Sequence, residues 1–174
     1  MRDFSGDHRW LSLNTATVSK QGDLTAIIEA CARHGIRAID PWRDQVAAIG
    51  LDRAVRAVRD AGLELSGYCR GGMFTADAAH CIEARDDNRR AVDEANALGA
   101  PCIVLVAGGL PQYSRPGSAA SKDIAAARTQ VHDAIAEMLE YAKQANMPLA
   151  IEPLHPAYAA DRACVNTTDR KSVV

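Results

Sequence analysis

Glu152 and His155 are the residues of this chain whose types and spacing are best suited to chemistry. They follow the short apolar run at 148–151, which has the composition of a buried strand. In folds with parallel strands, catalytic and metal-binding groups collect where the strands end. A carboxylate at such a position can bind a divalent cation or move a proton. The alternatives are a structural salt bridge or solvated strand end for Glu152, and a packed loop position for His155.

Three further candidates follow earlier strands of the predicted fold. Trp42 and Arg43 come directly after the second strand, and Arg70 ends the third. An indole can stack on the apolar face of a sugar, while a guanidinium can hold an anionic or carbonyl oxygen. We therefore predict that these residues and His155 bind a polar, hydroxyl-rich small molecule. The alternative is that Trp42 packs under a loop and that both arginines lie on the surface.

Helices and strands alternate along the chain, and the strands position these candidates. Apolar residues at helical spacing predict four helices, each ended by a glycine or, in the last case, by Asn146. The predicted helices lie at 24–31, 51–58, 91–98 and 124–142, the strands after them at 36–40, 63–68, 101–106 and 149–152, and the longest loops at 69–79 and 107–121. With an opening strand at 10–14, this gives five strands and four helices. Such alternation predicts an α/β fold of parallel β-α-β units, either a barrel or a doubly wound sheet.

Composition and motifs argue against several classes of protein. A chain of 174 residues with a net charge of −2 and scattered basic residues gives no reason to expect a nucleic-acid or acidic-membrane partner. No G-x-G-x-x-G motif follows the first strand, which disfavours a dinucleotide-binding unit, and no P-loop or G-x-S-x-G motif is present. The apolar run at 103–107 is far too short to span a bilayer.

The cysteines and the N-terminus bear on the compartment. The five cysteines are odd in number and none forms a C-x-x-C pair, so a disulfide framework is not expected. Cys31 and Cys102 lie within apolar patterns and are predicted to be small buried hydrophobic residues. The first residues lack the apolar segment of a secretory signal. Together these observations predict a reducing, cytoplasmic location.

Four motifs in combination resemble one group of proteins. They are LSLNTAT at 11–17, PWRD at 41–44, CRGGMF at 69–74 and IEPLHP at 151–156. This combination resembles bacterial sugar phosphate isomerase/epimerase-type proteins of the xylose-isomerase-like TIM-barrel superfamily. The resemblance extends over roughly residues 8–167.

The resemblance implies a (β/α)8 barrel with a divalent metal, Mn, Mg, Co or Zn, at its C-terminal mouth. In the family the metal takes a carboxylate from the fifth strand and further Asp, His and Glu ligands from the sixth to eighth strands. Glu152 ends the fifth predicted strand and matches the first ligand, so the resemblance makes it the expected catalytic and metal-binding residue. The implied reaction is isomerisation or epimerisation of a sugar or polyol by proton transfer through an ene-diolate. Because the exact reaction varies within the superfamily, the resemblance names no substrate.

The chain departs from the family pattern after Thr167. A complete barrel needs about 250 residues, so we expect 1–167 to form a partial barrel without strands six to eight. Residues 169–174 match the translation of a common sequencing-adapter string, and we expect 168–174 to be a non-native tail. Glu152, even with His155, is not expected to hold a metal tightly, because such ions take about six donors. We therefore expect the fragment itself to be inactive.

Two other functions stay open at this point. One is a metal-dependent endonuclease on the same kind of barrel, which the absence of a basic cluster at the strand ends disfavours. The other is a non-catalytic half-barrel whose open sheet edges bind a partner or cause aggregation. The expected partner is otherwise a small sugar or polyol, with no nucleic acid and no membrane. A homo-oligomer of the full-length protein is compatible with the resemblance.

Overall fold

The computed structural model describes residues 10–75, 80–110, 123–158 and 162–168. The described part contains five α-helices and six β-strands. The helices are α1 (Leu24–Arg33), α2 (Arg43–Ile49), α3 (Leu51–Asp60), α4 (Cys81–Leu98) and α5 (Ile124–Gln144). The strands are β1 (Ser12–Asn14), β2 (Ala38–Asp40), β3 (Glu64–Leu65), β4 (Tyr68–Gly72), β5 (Ile103–Val106) and β6 (Leu149–Ile151). Two compact units divide the chain: Met1–Cys69 with Glu94–Cys102, and Arg70–Asp93 with Ile103–Val174.

The first unit is built on a parallel sheet with the strand order β1-β2-β3. Leu13 pairs with Ile39, and Ile39 with Leu65. Helix α1 buries the apolar face that its helical spacing predicts, and Cys31 on that face is buried as expected. Asp23 caps this helix, because its Oδ1 accepts a hydrogen bond of 2.9 Å from the backbone N–H of Ala26.

The second sheet has the strand order β4-β5-β6, and β5 and β6 pair in parallel. Leu105 of β5, which is completely buried, pairs with Ile151 of β6. Helix α5 begins at a capping aspartate, Asp123, and its buried face has the predicted spacing. Asn146 follows the helix in the left-handed conformation, with a φ of 50°, and so ends it where the sequence predicts.

Three expectations about the elements were wrong. The predicted third strand at 63–68 is two strands, β3 and β4, and 69–72 belongs to β4 and not to a loop. Arg70 therefore lies inside a strand and not at its end. Helix α2, which begins directly after Trp42, was not predicted. The described residues thus form six strands and five α-helices where five and four were expected. The glycines of β4 hide its strand character, and α2 is too short to show a period.

The α/β class with parallel pairing is confirmed by the two sheets. Cys102 is half-buried and not fully buried as expected. No helix of the described ranges has the length and apolar character needed to cross a membrane. The tail at 169–174 and most of the loop predicted at 107–121 lie outside the described residues.

Candidate active site

Glu152 lies directly after β6, at the C-terminal end of the second sheet. Its backbone N–H donates a hydrogen bond of 3.0 Å to the carbonyl of Leu105, so the ladder between β5 and β6 continues to this residue. Because side chains alternate along a strand, Glu152 points to the face opposite to the buried Leu105 and its partner Ile151. The side chain is half-buried there.

Arg70 points to the same face of this sheet as Glu152. Its neighbour Gly71 faces the other side, since a Cβ atom on Gly71 would lie 2.9 Å and 3.0 Å from the side chains of Ile103 and Leu105. Alternation along β4 therefore directs Arg70 away from these buried side chains, and it is exposed. The sheet thus presents a guanidinium and a carboxylate on one face.

Asn88 of α4 holds the end of β4, and sequence reasoning missed it. Its Oδ1 accepts a hydrogen bond of 2.6 Å from the N–H of Gly72, and its Nδ2 donates bonds of 2.9 Å to the carbonyls of Gly72 and Ala84. It is one of two buried polar residues in the described part, and only 4% of it is exposed. A polar residue on the otherwise apolar inner face of a charged helix was the available signal.

His155 belongs to the loop that follows Glu152. It is exposed, and its Nδ1 accepts a hydrogen bond of 3.2 Å from the backbone N–H of Ala157 at the start of a short 3-10 helix, Pro156–Tyr158. An acceptor at Nδ1 places the proton of the neutral ring on Nε2. The imidazole therefore caps a turn and presents Nε2–H as a donor.

Trp42 lies in the first unit, between β2 and α2. Its backbone N–H donates to Oγ1 of the completely buried Thr15 at 3.1 Å, and its backbone bridges to Cys69. The indole is half-buried, and its Nε1 is a buried donor without a hydrogen-bond partner among the described residues. Thr15 was not singled out in the sequence, although it fixes the residue that was.

Arg43 is bound by Glu94, a residue of α4 that lies 51 positions away in the sequence. The guanidinium donates two bonds, from Nε to Oε2 at 2.7 Å and from Nη2 to Oε1 at 3.2 Å. The hydroxyl of Tyr68 donates a further bond of 2.9 Å to Oε2. Burial first, and then the charge of Glu94, raise the pKa of Tyr68, while Arg43 lowers it. The guanidinium therefore joins the first turn of α2 to α4.

A divalent metal needs more donors than Glu152 supplies. Within the described ranges, no group of three or more His, Cys, Asp and Glu side chains is arranged to hold a metal ion. Ions such as Mn²⁺ and Mg²⁺ take about six oxygen or nitrogen donors. The described residues alone do not fit such an ion.

A family model described as "xylose isomerase-like TIM barrel" matches residues 28–170. The chain belongs to this family. The membership confirms the predicted superfamily and the TIM-barrel type of fold, of which these 174 residues form a part. No curated protein sequence matches the chain.

Several solved structures have a fold similar to that of this chain. Protein SMc04130 from Sinorhizobium meliloti 1021 is 55% identical over 96% of this chain and 58% of its own length, with a TM-score of 0.88. The IOLI protein, solved with a zinc atom, gives a TM-score of 0.71 at 17% identity over 92% of this chain and 55% of its own. D-psicose 3-epimerase from Clostridium cellulolyticum H10 gives 0.67 at 12% identity, over 86% and 53%. The chain therefore spans little more than half of each of these three structures.

Proposed function

We propose that the chain is part of a sugar isomerase or epimerase in which Glu152 transfers a proton. The observation that carries the proposal is the placement of Glu152 at the C-terminal end of β6, on the same sheet face as Arg70. Parallel α/β folds of this family place their chemistry at that end of the sheet. The epimerase with a similar fold supports a small sugar or polyol as the substrate class.

A carboxylate and a guanidinium on one face suit the isomerisation of a carbonyl sugar. Glu152 as a carboxylate removes the proton from the carbon next to the carbonyl, and the electron pair moves onto the carbonyl oxygen. The guanidinium of Arg70 stabilises the negative charge on that oxygen. Return of the proton to the former carbonyl carbon, with the hydroxyl proton passing from one oxygen to the other, gives an isomer. Protonation of the original carbon on its opposite face by a second acid, with Glu152 keeping the proton it removed, gives an epimer.

The remaining predicted site residues keep supporting roles in this proposal. His155 offers Nε2–H to a sugar hydroxyl, and Trp42 remains a predicted substrate-binding residue with a half-buried ring. Arg43 remains a predicted substrate-binding residue, although its two bonds to Glu94 favour an indirect role. A divalent metal would require ligands in addition to Glu152, and when bound it would polarise the carbonyl. The five free cysteines are compatible with the proposed cytoplasmic location.

The test uses a chimeric protein, because the chain spans 58% of SMc04130. Residues 1–167 are joined to the part of SMc04130 beyond the matched region, and proton NMR follows deuterium entering ketohexoses next to the carbonyl in D₂O with Mn²⁺, Mg²⁺, Co²⁺ or Zn²⁺. We expect exchange by the chimera, little by the 174-residue chain, and a loss of about 100-fold or more in Glu152→Gln.

Glu29→Gln is the matched control, because Glu29 is an exposed carboxylate on α1. It should exchange at the rate of the parent chimera. Exchange that persists in Glu152→Gln would remove the proposed role of this residue. Cleavage of abasic DNA without sugar exchange would favour the endonuclease, and a folded chimera without either activity would favour the non-catalytic reading.

A further inference from the structure

The loop after Glu152 carries an exposed aromatic ring that the proposed proton transfer does not use. Tyr158 is 43% exposed, and the guanidinium of Arg162 lies over its ring, 5.2 Å from the centroid. The backbone N–H of Arg162 also donates a hydrogen bond of 3.0 Å to the carbonyl of Tyr158. One ring face is thus occupied by a cation of the same loop, which limits the positions that the ring can take.

Residues 162–164 of this loop return to the sheet, and this returning arm is fixed to the end of β5. Gly108 donates to the carbonyl of Arg162 and accepts from the N–H of Cys164, both at 2.8 Å, and its backbone forms a parallel bridge with Ala163. The side chain of Arg128 donates to the carbonyl of Cys164 at 3.0 Å. The arm therefore lies along the same sheet end at which Glu152 emerges.

A second set of bonds closes the base of the loop. The N–H of Leu154 donates to the carbonyl of Val165 at 3.2 Å, and Nδ2 of Asn166 donates to the carbonyls of Leu154 at 3.1 Å and Ala163 at 3.0 Å. Ala163, Cys164 and Val165 are buried. Tyr158 is thus an exposed ring on a loop that is anchored on both sides.

We propose that Tyr158 is a substrate-binding residue whose ring packs against the C–H face of the sugar, and that Arg162 is a positioning residue for that ring. An amphipathic aromatic ring held in place suits a ligand that has apolar C–H faces as well as hydroxyls. The inference rests on the proposed function for its substrate class, but its test reads binding and not catalysis.

Tyrosine-selective ¹³C labelling of the 174-residue chain tests the contact directly. The chain has four tyrosines, so four ring signals are expected, and Tyr158→Phe identifies one of them by its loss. Millimolar D-fructose or D-psicose should shift the Tyr158 signal and leave that of Tyr141 unchanged. Tyr141 is the matched control because it too lies beneath an arginine, Arg89, at 5.7 Å, but on α5.

Variants then distinguish the contribution of the Tyr158 ring to sugar binding from that of its hydroxyl. Tyr158→Ala should weaken sugar binding about two- to tenfold in the same titration, followed by the sugar's own saturation-transfer signals. Tyr158→Phe and Tyr141→Ala should bind as the parent does. Arg162→Gln should weaken binding less than Tyr158→Ala.

The proposal is overturned if neither sugar moves the Tyr158 signal, or if Tyr158→Ala binds as tightly as the parent. The first of these results is measured on the labelled parent chain, so it remains decisive even if Tyr158→Ala does not fold. A Tyr158 shift without deuterium exchange in the chimera would remove the proposed reaction and leave the sugar contact. Exchange in the chimera without a Tyr158 shift would support the proposed reaction and remove the proposed contact between Tyr158 and the sugar.

Discussion

Gly72 lies so close to Val106 that no other residue fits at its position. A Cβ atom on Gly72 would be 2.1 Å from the carbonyl oxygen of Val106, and the φ of Gly72 is 108°. Met73 follows with a φ of 55° and donates a backbone hydrogen bond of 2.7 Å to that same oxygen. The close approach therefore fixes the end of β4 against β5, two residues beyond Arg70.

Gly72→Ala should destabilise the protein strongly. The new methyl group would force two backbones apart in addition to the left-handed strain, so we expect a loss of about 3 kcal/mol or more in the free energy of unfolding. Gly99→Ala is the matched control, because Gly99 has a φ of 73° but nothing within 4 Å of its would-be Cβ. It should lose only about 1 to 2 kcal/mol. Urea denaturation measures both, and equal losses would contradict the steric argument.

Asn88→Ala should destabilise the same strand end by removing hydrogen bonds. Without the amide, the N–H and C=O of Gly72 lose the partners that Asn88 provides. Leaving buried backbone groups unsatisfied costs about 2 to 4 kcal/mol in total. Asn96→Ala, at an exposed position of the same helix, should change the free energy of unfolding by about 0.5 kcal/mol or less. Similar losses in the free energy of unfolding of the two variants, measured in urea, would show that the hydrogen bonds from Asn88 to Gly72 contribute little.

Local pattern was sufficient to predict most of the elements, but not the residues that join them. Helices α1 and α5 have long apolar periods and clear stop residues, so the sequence predicts both. Strand β4 escaped prediction because its stability depends on Asn88 and on close packing at Gly71 and Gly72, which are distant in the sequence.

Local pattern also predicts where Glu152 lies, but not which residues contact the other candidates. Glu152 stands at the end of an apolar run, which is a local signal, and the structure places it at the end of β6. The partner of Arg43 was not predictable, because Glu94 is one of many acidic residues on solvated helices until the fold brings the two together. A contact between two residues 51 positions apart produces no pattern in the local sequence.

The hydroxyl of Tyr68 should stabilise the protein at neutral pH and lose that effect in alkali. Burial and Glu94 raise its pKa in the folded state above the ordinary value of 10.0. Above pH 10 the unfolded chain therefore loses this proton while the folded chain keeps it, so stability falls as pH rises towards the folded pKa.

The comparison with Tyr68→Phe isolates this effect. The parent should be more stable than the variant by about 2 kcal/mol near neutrality, because a hydrogen bond to a charged group is lost. That difference should stay constant up to about pH 9 and shrink as the pH rises from about 10 to about 11.5. Tyr158→Phe, at an exposed ring, serves as the control in the same urea titrations. A stability difference between the parent and Tyr68→Phe that stays constant over this pH range would refute the raised pKa of Tyr68.

Thiol reactivity should divide the five cysteines into two classes. Cys31, Cys69 and Cys164 are buried, whereas Cys81 and Cys102 are half-buried. We expect two thiols to react quickly with Ellman's reagent and three to react only when the chain unfolds. Burial, and to a lesser degree Asp40, raise the pKa of Cys102, so its thiolate is scarcer and it should react more slowly than Cys81.

Removing Cys81 checks the assignment of the two classes. Cys81→Ser should abolish the faster of the two rapid phases and leave three slow thiols unchanged. Cys31→Ser is the counterpart within the buried class and should leave both rapid phases intact. Five thiols reacting at one rate would mean that the buried cysteines are exposed in solution.

Mn²⁺ should bind the 174-residue chain only weakly. Glu152 offers one carboxylate, Nδ1 of His155 already accepts a hydrogen bond from the N–H of Ala157, and the described ranges contain no group of three metal-binding side chains. Because the ion takes about six donors, most of its coordination would come from water, and we expect a dissociation constant of about 1 mM or weaker by calorimetry. Glu152→Gln should weaken even this binding, whereas Glu29→Gln should not. Micromolar binding that survives Glu152→Gln would show that the chain holds the metal elsewhere and that Glu152 is not its ligand.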